Sequence, residues 1–222
     1  MRRILIVLLA AVALTSCATA RYYSEFSPAA AANEMVLLEP VATHFYMDEN
    51  DREQYSDSLT VVAESRMVDA ANQLGLPVNC MMELDDAQRN EAIAFMQYLI
   101  SRDNAAKGEV PIPGILDDML ESSGYRYGLI LFEDGMNRDK GSYIRDAVIG
   151  LTVGIFLAVV TMGLFTTYLY PMSAISTTHA AILDSVTDKV VYYNYEQIEA
   201  LDPLKPAYVT KQVREVMEDF LK

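Results

Sequence analysis

The stretch Tyr125–Gly135, with the sequence YRYGLILFEDG, decides the fold of this 222-residue chain. Its segment from Tyr127 to Phe132 is nearly continuously apolar and is bounded by Gly124 and Gly135. Such a run is typical of a central strand that is covered on both faces. Because one strand cannot bury both of its faces alone, the rest of the chain is expected to supply further strands and helices.

Two more strands are predicted C-terminal to this one, in the segment HAAILDSVTDKVVYYNYE. They cover Ala180–Leu183 and Lys189–Asn194, and the turn between them is short enough for an antiparallel hairpin. A closing helix is predicted over Pro206–Leu221. Its apolar residues recur on one face, as in a helix that packs on a sheet: Val209, Val213, Val216, Met217 and Phe220.

Three helices are predicted before the central strand, and Val36–Leu38 is a short first strand. The first helix can be capped by Ser56, Asp57 or Ser58 and stops at Gly75. A second helix is predicted over 85–102, and a short third helix ends at Gly124. The expected buried positions are Leu59, Val62, Val68, Ala71 and Leu74 in the first helix, and Ala92, Phe95, Met96 and Leu99 in the second.

The N-terminus, MRRILIVLLAAVALTSCATA, has the organisation of a bacterial lipoprotein signal peptide. Arg2 and Arg3 precede an apolar core from Ile4 to Leu14, which is too short to span a bilayer. The segment LTSC ending at Cys17 resembles a lipobox, in which the cysteine thiol receives diacylglycerol. The alternative is an ordinary signal peptide that happens to contain a cysteine. We predict lipidation of Cys17 and stable attachment to a membrane through its acyl chains.

These elements predict an α/β fold, a small mixed sheet covered by helices (an α/β sandwich), with a 24-residue apolar insertion. We expect a lipoprotein signal peptide over residues 1–16 and a lipidated tether over 17–33. A single α/β domain then covers 34–222, with the apolar insertion at 147–171. About 200 residues are an ordinary size for one domain.

Composition excludes several classes of function. Arg2 and Arg3 belong to the predicted signal peptide. Residues 17–222 therefore hold 15 basic and 31 acidic side chains, which gives a net charge of −16. Nucleic-acid binding is excluded because phosphate contacts need clustered Lys and Arg. The sequence has no zinc-ligand spacing, no phosphate-binding glycine loop and no nucleophile elbow, so neither a metal nor a cofactor is predicted.

Glu133 and Asp134 are the one carboxylate pair placed where α/β folds often locate function, directly after the predicted central strand. An enzyme of envelope metabolism would centre on this pair. We favour a solvated loop with Lys140 and Arg145 as partners and expect no enzymatic activity. His179, at the start of a predicted strand, is likewise expected to be structural.

Cys80 lies among apolar neighbours in GLPVNCMMEL and has no disulfide partner once Cys17 is lipidated. A lone cysteine in such a stretch is expected to be a small buried side chain. Met81, Met82 and Met96 are expected to be core residues, because thioethers fill apolar gaps more often than they bind metals.

Residues 147–170 contain no charge and form the insertion. As a helix they would extend about 36 Å, more than a hydrocarbon core of about 30 Å. Three arguments oppose a single-pass span. The nearest basic residues, Arg138, Lys140 and Arg145, all lie N-terminal to the insertion. That side must be periplasmic if Cys17 is lipidated, whereas basic residues beside a membrane span favour the cytoplasmic side. A span would also place the strands before and after it on opposite sides of a membrane and so divide the predicted sheet. It would hold the chain in the inner membrane, whereas Ala18, the residue after Cys17, resembles a signal for sorting to the outer membrane.

The insertion also shows a period of two, in which bulky apolar residues alternate with mostly small ones, as in a membrane-facing strand. We favour a membrane-associated hairpin or re-entrant insertion. A buried or oligomer-interface element is the second interpretation, and a single-pass helix is the last. The residues expected to contact a membrane or partner are Ile149, Gly150, Leu151, Gly154, Ile155, Leu157, Ala158 and Gly163.

With its lipobox at Cys17, its central strand followed by an insertion, its hairpin and its closing helix, the chain resembles small periplasmic lipoproteins of Gram-negative envelopes. In architecture it is similar to the group that contains the curli-secretion pore lipoprotein and the lipoprotein activators of penicillin-binding proteins. Its segment GLTVGIFLAVVTMGLFTTYLYPMSA is also similar to the glycine-rich insert of uncharacterised outer-membrane lipoproteins. The resemblance implies no catalytic residue.

The expected function is that of a non-enzymatic lipoprotein on the periplasmic face of the outer membrane. Ala18, rather than Asp, follows Cys17. By its resemblance to known lipoprotein sorting rules, this residue implies export to the outer membrane. The domain would act as an adaptor or assembly factor in an envelope complex, and its partners would be the membrane and either further copies of itself or an envelope protein. The alternative is a subunit of an oligomeric outer-membrane secretion pore.

Overall fold

A computed structural model describes residues 21–22, 26–31, 34–50, 52–103, 109–139, 141, 174–200 and 202–221. Within these residues the helices are α1 (Pro28–Ala31), α2 (Asp57–Leu74), α3 (Asp86–Asp103), α4 (Gly114–Ser123) and α5 (Pro206–Val216), followed by a 3₁₀ turn at Glu218–Phe220. The strands are β1 (Arg21–Tyr22), β2 (Met35–Leu38), β3 (Val41–Met47), β4 (Glu53–Tyr55), β5 (Met81–Met82), β6 (Tyr127–Arg138), β7 (Ile175–Asp184) and β8 (Lys189–Glu199).

The eight strands form one mixed sheet with β6 near its centre. On one side β6 pairs antiparallel with β7, which pairs antiparallel with β8, and β1 adds two residues to the outer edge of β8. On the other side β6 pairs parallel with both β2 and β3. The predicted mixed sheet covered by helices is therefore confirmed.

Together, β2 and β3 act as one interrupted strand along β6. Leu37 is the register partner of Leu129 and Val41 is the partner of Phe132, so β2–β3 advances four residues while β6 advances three. Pro40 lies in this extra step, where its missing N–H removes no bond from the ladder. Past it, β3 follows β6 to its end and reaches residues that the sequence predicted to be loop.

Apolar side chains alternate along β6 and build a core on each face of the sheet. Leu129 and Leu131 pack on the face covered by α2 and α5. Ile130 and Phe132 pack on the opposite face, which is covered by α3 and α4. The strand is thus buried on both sides, as its sequence predicts.

The helices agree with their sequence signals, with one correction. Ser56 accepts the backbone N–H of Leu59, and Gly75 ends α2 in the left-handed conformation. The predicted buried stripe of α2 is wrong at Val62, which is exposed. The buried positions are Thr60, Ala63, Met67, Ala70 and Ala71, so small side chains face the sheet and let the helix approach closely.

In α3 the predicted positions Ala92, Phe95, Met96 and Leu99 are all buried. The last helix, predicted to reach Leu221, is α5, which ends at Val216 and is followed by a 3₁₀ turn. Its predicted positions Val209, Val213 and Val216, and Met217 just after it, are buried, while Phe220 is partly buried. In the part of the chain that the structure describes, no helix is both long enough and apolar enough to cross a membrane.

Candidate functional site

The apolar insertion, with all of its predicted contact residues, lies outside the described residues, but the strands on either side of it are described. In the β6–β7 pair, Met136 is the register partner of Ile175. Residues paired in this way have Cα atoms only about 5 Å apart. The chain therefore leaves the sheet after β6 and returns to it at β7 from the same end.

Cys17 also lies outside the described residues, and β1 gives the direction from which the chain arrives. Arg21 pairs with Tyr193 and Tyr22 pairs with Tyr192. Moving from Tyr22 back towards Cys17 therefore follows β8 towards Glu199, which pairs with Ile175. Cys17 lies four positions before Arg21, a reach of at most about 14 Å. The direction of β1 therefore points back towards the sheet end at which β6 ends and β7 begins.

Glu133 is part of a buried polar cluster on the α2–α5 face. Its Oε1 accepts a hydrogen bond from Ser176 Oγ at 2.5 Å and lies 3.4 Å from His44 Nε2. Gln212 of α5 donates from Nε2 to the carbonyl oxygens of Ser176 at 2.9 Å and Glu196 at 3.1 Å. Glu133, His44, Ser176 and Gln212 are fully buried, so the cluster fastens α5 and β3 to the end of the sheet.

The close packing of this cluster depends on Gly135. An added Cβ at Gly135 would lie 2.6 Å from His44 Cε1 and 2.7 Å from the carbonyl oxygen of Ile175. Only a residue without a side chain lets the His44 ring lie across β6 at this point. The glycine that the sequence suggests as a boundary of the strand is in fact inside it.

Asp134 points to the opposite face of the sheet and belongs to a second polar array. Its Oδ1 accepts from His179 Nε2 at 2.9 Å, and His179 Nδ1 lies 2.9 Å from the hydroxyl of Tyr193. Because an ionised carboxylate can only accept, Nε2 carries the proton, and Nδ1 accepts from the Tyr193 hydroxyl. His179 and Tyr193 are buried, while about half of the Asp134 side chain is exposed.

This array forms the floor of an open cavity of about 260 Å³. Ile100, in the last turns of α3, forms part of the wall. The strand residues that line the cavity belong to one face of the sheet, which carries an unusual concentration of polar and aromatic side chains: Asp134, Thr177, His179, Tyr193, Tyr195 and Gln197.

The structure corrects the prediction for Glu133 and Asp134. They do not lie in a loop after the strand, because β6 continues to Arg138 and pairs on both sides there. Consecutive residues of a strand point to opposite faces, so the two carboxylates belong to different sites. His179 was expected at the start of a strand and lies in the middle of β7.

Cys80 is exposed, which contradicts the prediction of a buried side chain. It precedes the two-residue strand β5 at the edge of the sheet, where Met81 is exposed as well. The Cys80 thiol donates to the hydroxyl of Tyr125 at 3.6 Å, and this contact raises the pKa of Tyr125. Among the described residues, no three His, Cys, Asp or Glu side chains are grouped so that they could hold a metal ion.

No protein-family model matches the chain, and no curated protein sequence matches it significantly. Among solved structures it is similar to the PelC dodecamer from Paraburkholderia phytofirmans, with 10% identity, a TM-score of 0.39, and coverage of 90% of this chain and 97% of that one. A leucine-to-methionine variant of the same dodecamer gives 8% identity, a TM-score of 0.41, and coverage of 91% and 98%. These values describe a coarse likeness in the course of the chain.

Sequence reasoning missed the cavity because it ended the strands too early. Thr177 and His179 in β7, and Tyr193, Tyr195 and Gln197 in β8, alternate along their strands and therefore share a face. That alternation is visible in the sequence once β8 is extended to Glu199. The polar composition of these ends is what made them resemble loops.

Proposed function

We propose that this protein is a non-enzymatic lipoprotein on the periplasmic face of the outer membrane, acting as an adaptor or assembly factor in an envelope complex. Cys17 would carry the lipid anchor, and residues 147–170 would contact the membrane or a partner. The observation that carries the proposal is the pairing of Met136 with Ile175, which places the end of β6 and the start of β7, the described strands that flank the apolar segment in sequence, at one end of the sheet.

A single membrane span is incompatible with that pairing. A span separates its two ends by the thickness of the hydrocarbon core, about 30 Å. Here β6 and β7, the described strands before and after the insertion in sequence, are paired with each other in one sheet. An apolar segment that leaves and returns at one point can enter a leaflet or cover a partner without dividing the domain.

The direction of β1 supports the same orientation. Both the lipidated terminus and the insertion approach the sheet from the side of Met136, Ile175 and Glu199. An acyl anchor and an apolar segment at one end of a domain can meet the same membrane. The acidic chain would be repelled by anionic headgroups, so the attachment would depend on these two apolar elements.

The absence of an enzymatic role remains part of the proposal, and the position of Glu133 supports it. This carboxylate is fully buried, with Ser176, His44 and Gln212 around it. Asp134 lies on the other face and cannot share a substrate with it. The acid and base of an acid–base pair must both reach one reacting group, and this geometry prevents it.

Vesicle binding of the unlipidated chain tests the proposed contact. We would compare Cys17→Ser with the same chain in which residues 147–170 are replaced by a short Gly-Ser linker. The neighbouring strand ends allow such a replacement without strain. A matched control keeps the length and changes Ile149, Leu151, Ile155 and Leu157 to Ser. If only the Cys17→Ser chain with the intact segment co-sediments with vesicles, the proposal is supported. If all three chains partition equally between vesicles and solution, a membrane contact is contradicted.

A second candidate, the subunit of an oligomeric outer-membrane secretion pore, is favoured by the open edge of β8. Among the described residues, β1 covers this edge at Tyr192–Tyr193, and no described strand pairs with it over residues 194–198. Exposed edges of this kind can join copies of a chain. Mass measurement of the detergent-extracted complex decides: a large ring supports the pore, and a monomer or dimer excludes it.

A further inference from the structure

The cavity above Asp134 and His179 is a second candidate site, built from described residues of β6, β7, β8 and α3. It has a charged group at its floor, aromatic walls and a defined volume of about 260 Å³. Pockets for drug-sized ligands are commonly 300–1,000 Å³, so this one suits a smaller group. Its lining residues indicate the charge and shape of that group.

The charge of the cavity is negative. Among the described residues that line it, Asp134 is the only carboxylate and none is Lys or Arg. Its Oδ1 is held by His179, while Oδ2 has no hydrogen-bond partner among the described residues. Since about half of the side chain is exposed, Oδ2 is available to a ligand that carries positive charge.

The carboxylate is held in place from behind. His179 is fixed on both sides. Its Nε2 lies 2.9 Å from Asp134 Oδ1, and its Nδ1 lies 2.9 Å from the buried hydroxyl of Tyr193. The ring of His179 lies 6.0 Å from that of Tyr193 at an interplanar angle of 19°. This support orients Asp134 before any ligand binds, which lowers the entropy lost on binding.

Aromatic rings stand beside the carboxylate. The centroids of Tyr193 and Tyr195 are 6.3 Å apart, and Tyr195 lies 5.8 Å from His179. Tyr195 is 42% exposed, so its ring is accessible from the cavity. An ammonium group whose substituents are apolar satisfies both features, because it is attracted to ring faces and to a carboxylate.

We propose that this cavity binds an alkylammonium group, either that of a free amine or that of a lipid headgroup. The cation contacts Asp134 and the exposed ring of Tyr195, and buried Tyr193 supports His179 from below. Thr177 and Gln197, at the same cavity, offer neutral hydrogen-bonding groups to the rest of the ligand. Anionic groups are excluded by Asp134 and by the net charge of the chain.

Calorimetric titration of the full chain, purified in a nonionic detergent without choline groups, tests the proposal. The probes are choline and its uncharged isostere 3,3-dimethylbutan-1-ol. We expect choline to bind and the isostere to bind at least about tenfold more weakly, a difference of about 1.4 kcal/mol. No choline binding, or equal affinity for both probes, would overturn the proposal.

Two variants and a control separate binding from folding. Asp134→Asn removes the charge and keeps an oxygen that accepts from His179, and Tyr195→Leu removes an exposed ring. Both should weaken choline binding about tenfold or more while the melting temperature stays unchanged. The control, Asp118→Asn, changes an exposed carboxylate on α4. Parent-like binding by Asp134→Asn rejects the site.

Competition against choline then distinguishes the two sources of the ammonium group. Displacement by ethanolamine alone assigns a free amine, and displacement by glycerophosphoethanolamine assigns a lipid headgroup. If neither compound displaces choline, the cavity is not a site for alkylammonium groups in general and the proposal fails. The vesicle experiment on residues 147–170 is read out separately, because it removes none of the described residues that line the cavity.

Discussion

Met136 and Ile175 are register partners across the β6–β7 pair, although the apolar insertion lies between them in sequence. This relationship means that the chain leaves the sheet after β6 and returns to it at β7 at the same end. Any passage through a membrane between these residues must therefore be even in number or absent. The described strand β1, which follows the predicted lipidation site at Cys17, runs along β8 from the direction of the same sheet end.

Gly135→Ala should destabilise the fold by about 1–3 kcal/mol, because the new Cβ meets the His44 ring on one side and the Ile175 carbonyl on the other. Urea unfolding followed by circular dichroism measures the change. Gly114→Ala is the matched control, since an added Cβ there meets nothing within 4 Å. Equal stability of the two variants would show that His44 does not cross β6 as described.

Gln212→Leu should lower the free energy of unfolding by about 2–3 kcal/mol. The substitution keeps approximate volume and leaves the carbonyl groups of Ser176 and Glu196 without their donor in a buried place. Lys211→Ala, at an exposed neighbouring position on α5, should change stability by less than about 0.5 kcal/mol. A neutral effect of Gln212→Leu in chemical denaturation would contradict the role of the buried cluster in holding α5.

Arg126 and Asp184 join the start of β6 to the end of β7 by two hydrogen bonds of 2.9 and 3.0 Å. Burial of Asp184 acts to raise the pKa of its carboxyl, but the bonds from Arg126 and from the Val186 N–H outweigh it, and the pKa is lowered. A lowered pKa contributes stability that is fully present above the unfolded value, about 3.9, and is lost as pH falls through the folded value.

Arg126→Gln should therefore reduce stability by about 1–3 kcal/mol at pH 7. The difference from the parent should shrink as pH falls below about 4, where Asp184 becomes protonated. Denaturant unfolding at several pH values measures it. Lys189→Gln is the control, since its bond to Glu109 is exposed and contributes little. A difference that stays constant down to pH 2 would contradict the assignment to Asp184.

Cys80 should react with maleimide in the folded protein, because its side chain is exposed. In the Cys17→Ser chain it is the only cysteine. Mass spectrometry should show one adduct per chain without denaturant and none in a chain that also carries Cys80→Ser. Modification that requires urea would show that the thiol is buried after all.

Much of the fold could be predicted from the sequence because its signals are local. The apolar run of Tyr127–Phe132, the cap at Ser56 and the stop at Gly75 each act within a few residues. The stripe of α2 was harder to predict. Its buried face carries Thr60 and alanines, while Val62 is exposed, so hydropathy alone points to the wrong face.

The candidate sites could not be predicted because they depend on pairing between distant segments. In the sequence, the surroundings of Glu133 predict a loop. In the fold it is enclosed by His44, Ser176 and Gln212, which come from three other elements. The cavity likewise needs the extension of β8, whose polar end is held in the sheet by β7. Hydropathy reports burial against apolar neighbours and carries no information on buried polar side chains that hydrogen-bond to one another across the sheet.

The sidedness of the two flanks of the insertion tests the central claim most directly. In a Cys80→Ser background, Gly141→Cys lies before the insertion and Val186→Cys after it, both at exposed positions. A large, membrane-impermeant maleimide should label neither in intact Gram-negative cells and both equally once the outer membrane is permeabilised. Labelling of one position while the other stays protected would place the flanks on opposite sides of a membrane and contradict the account.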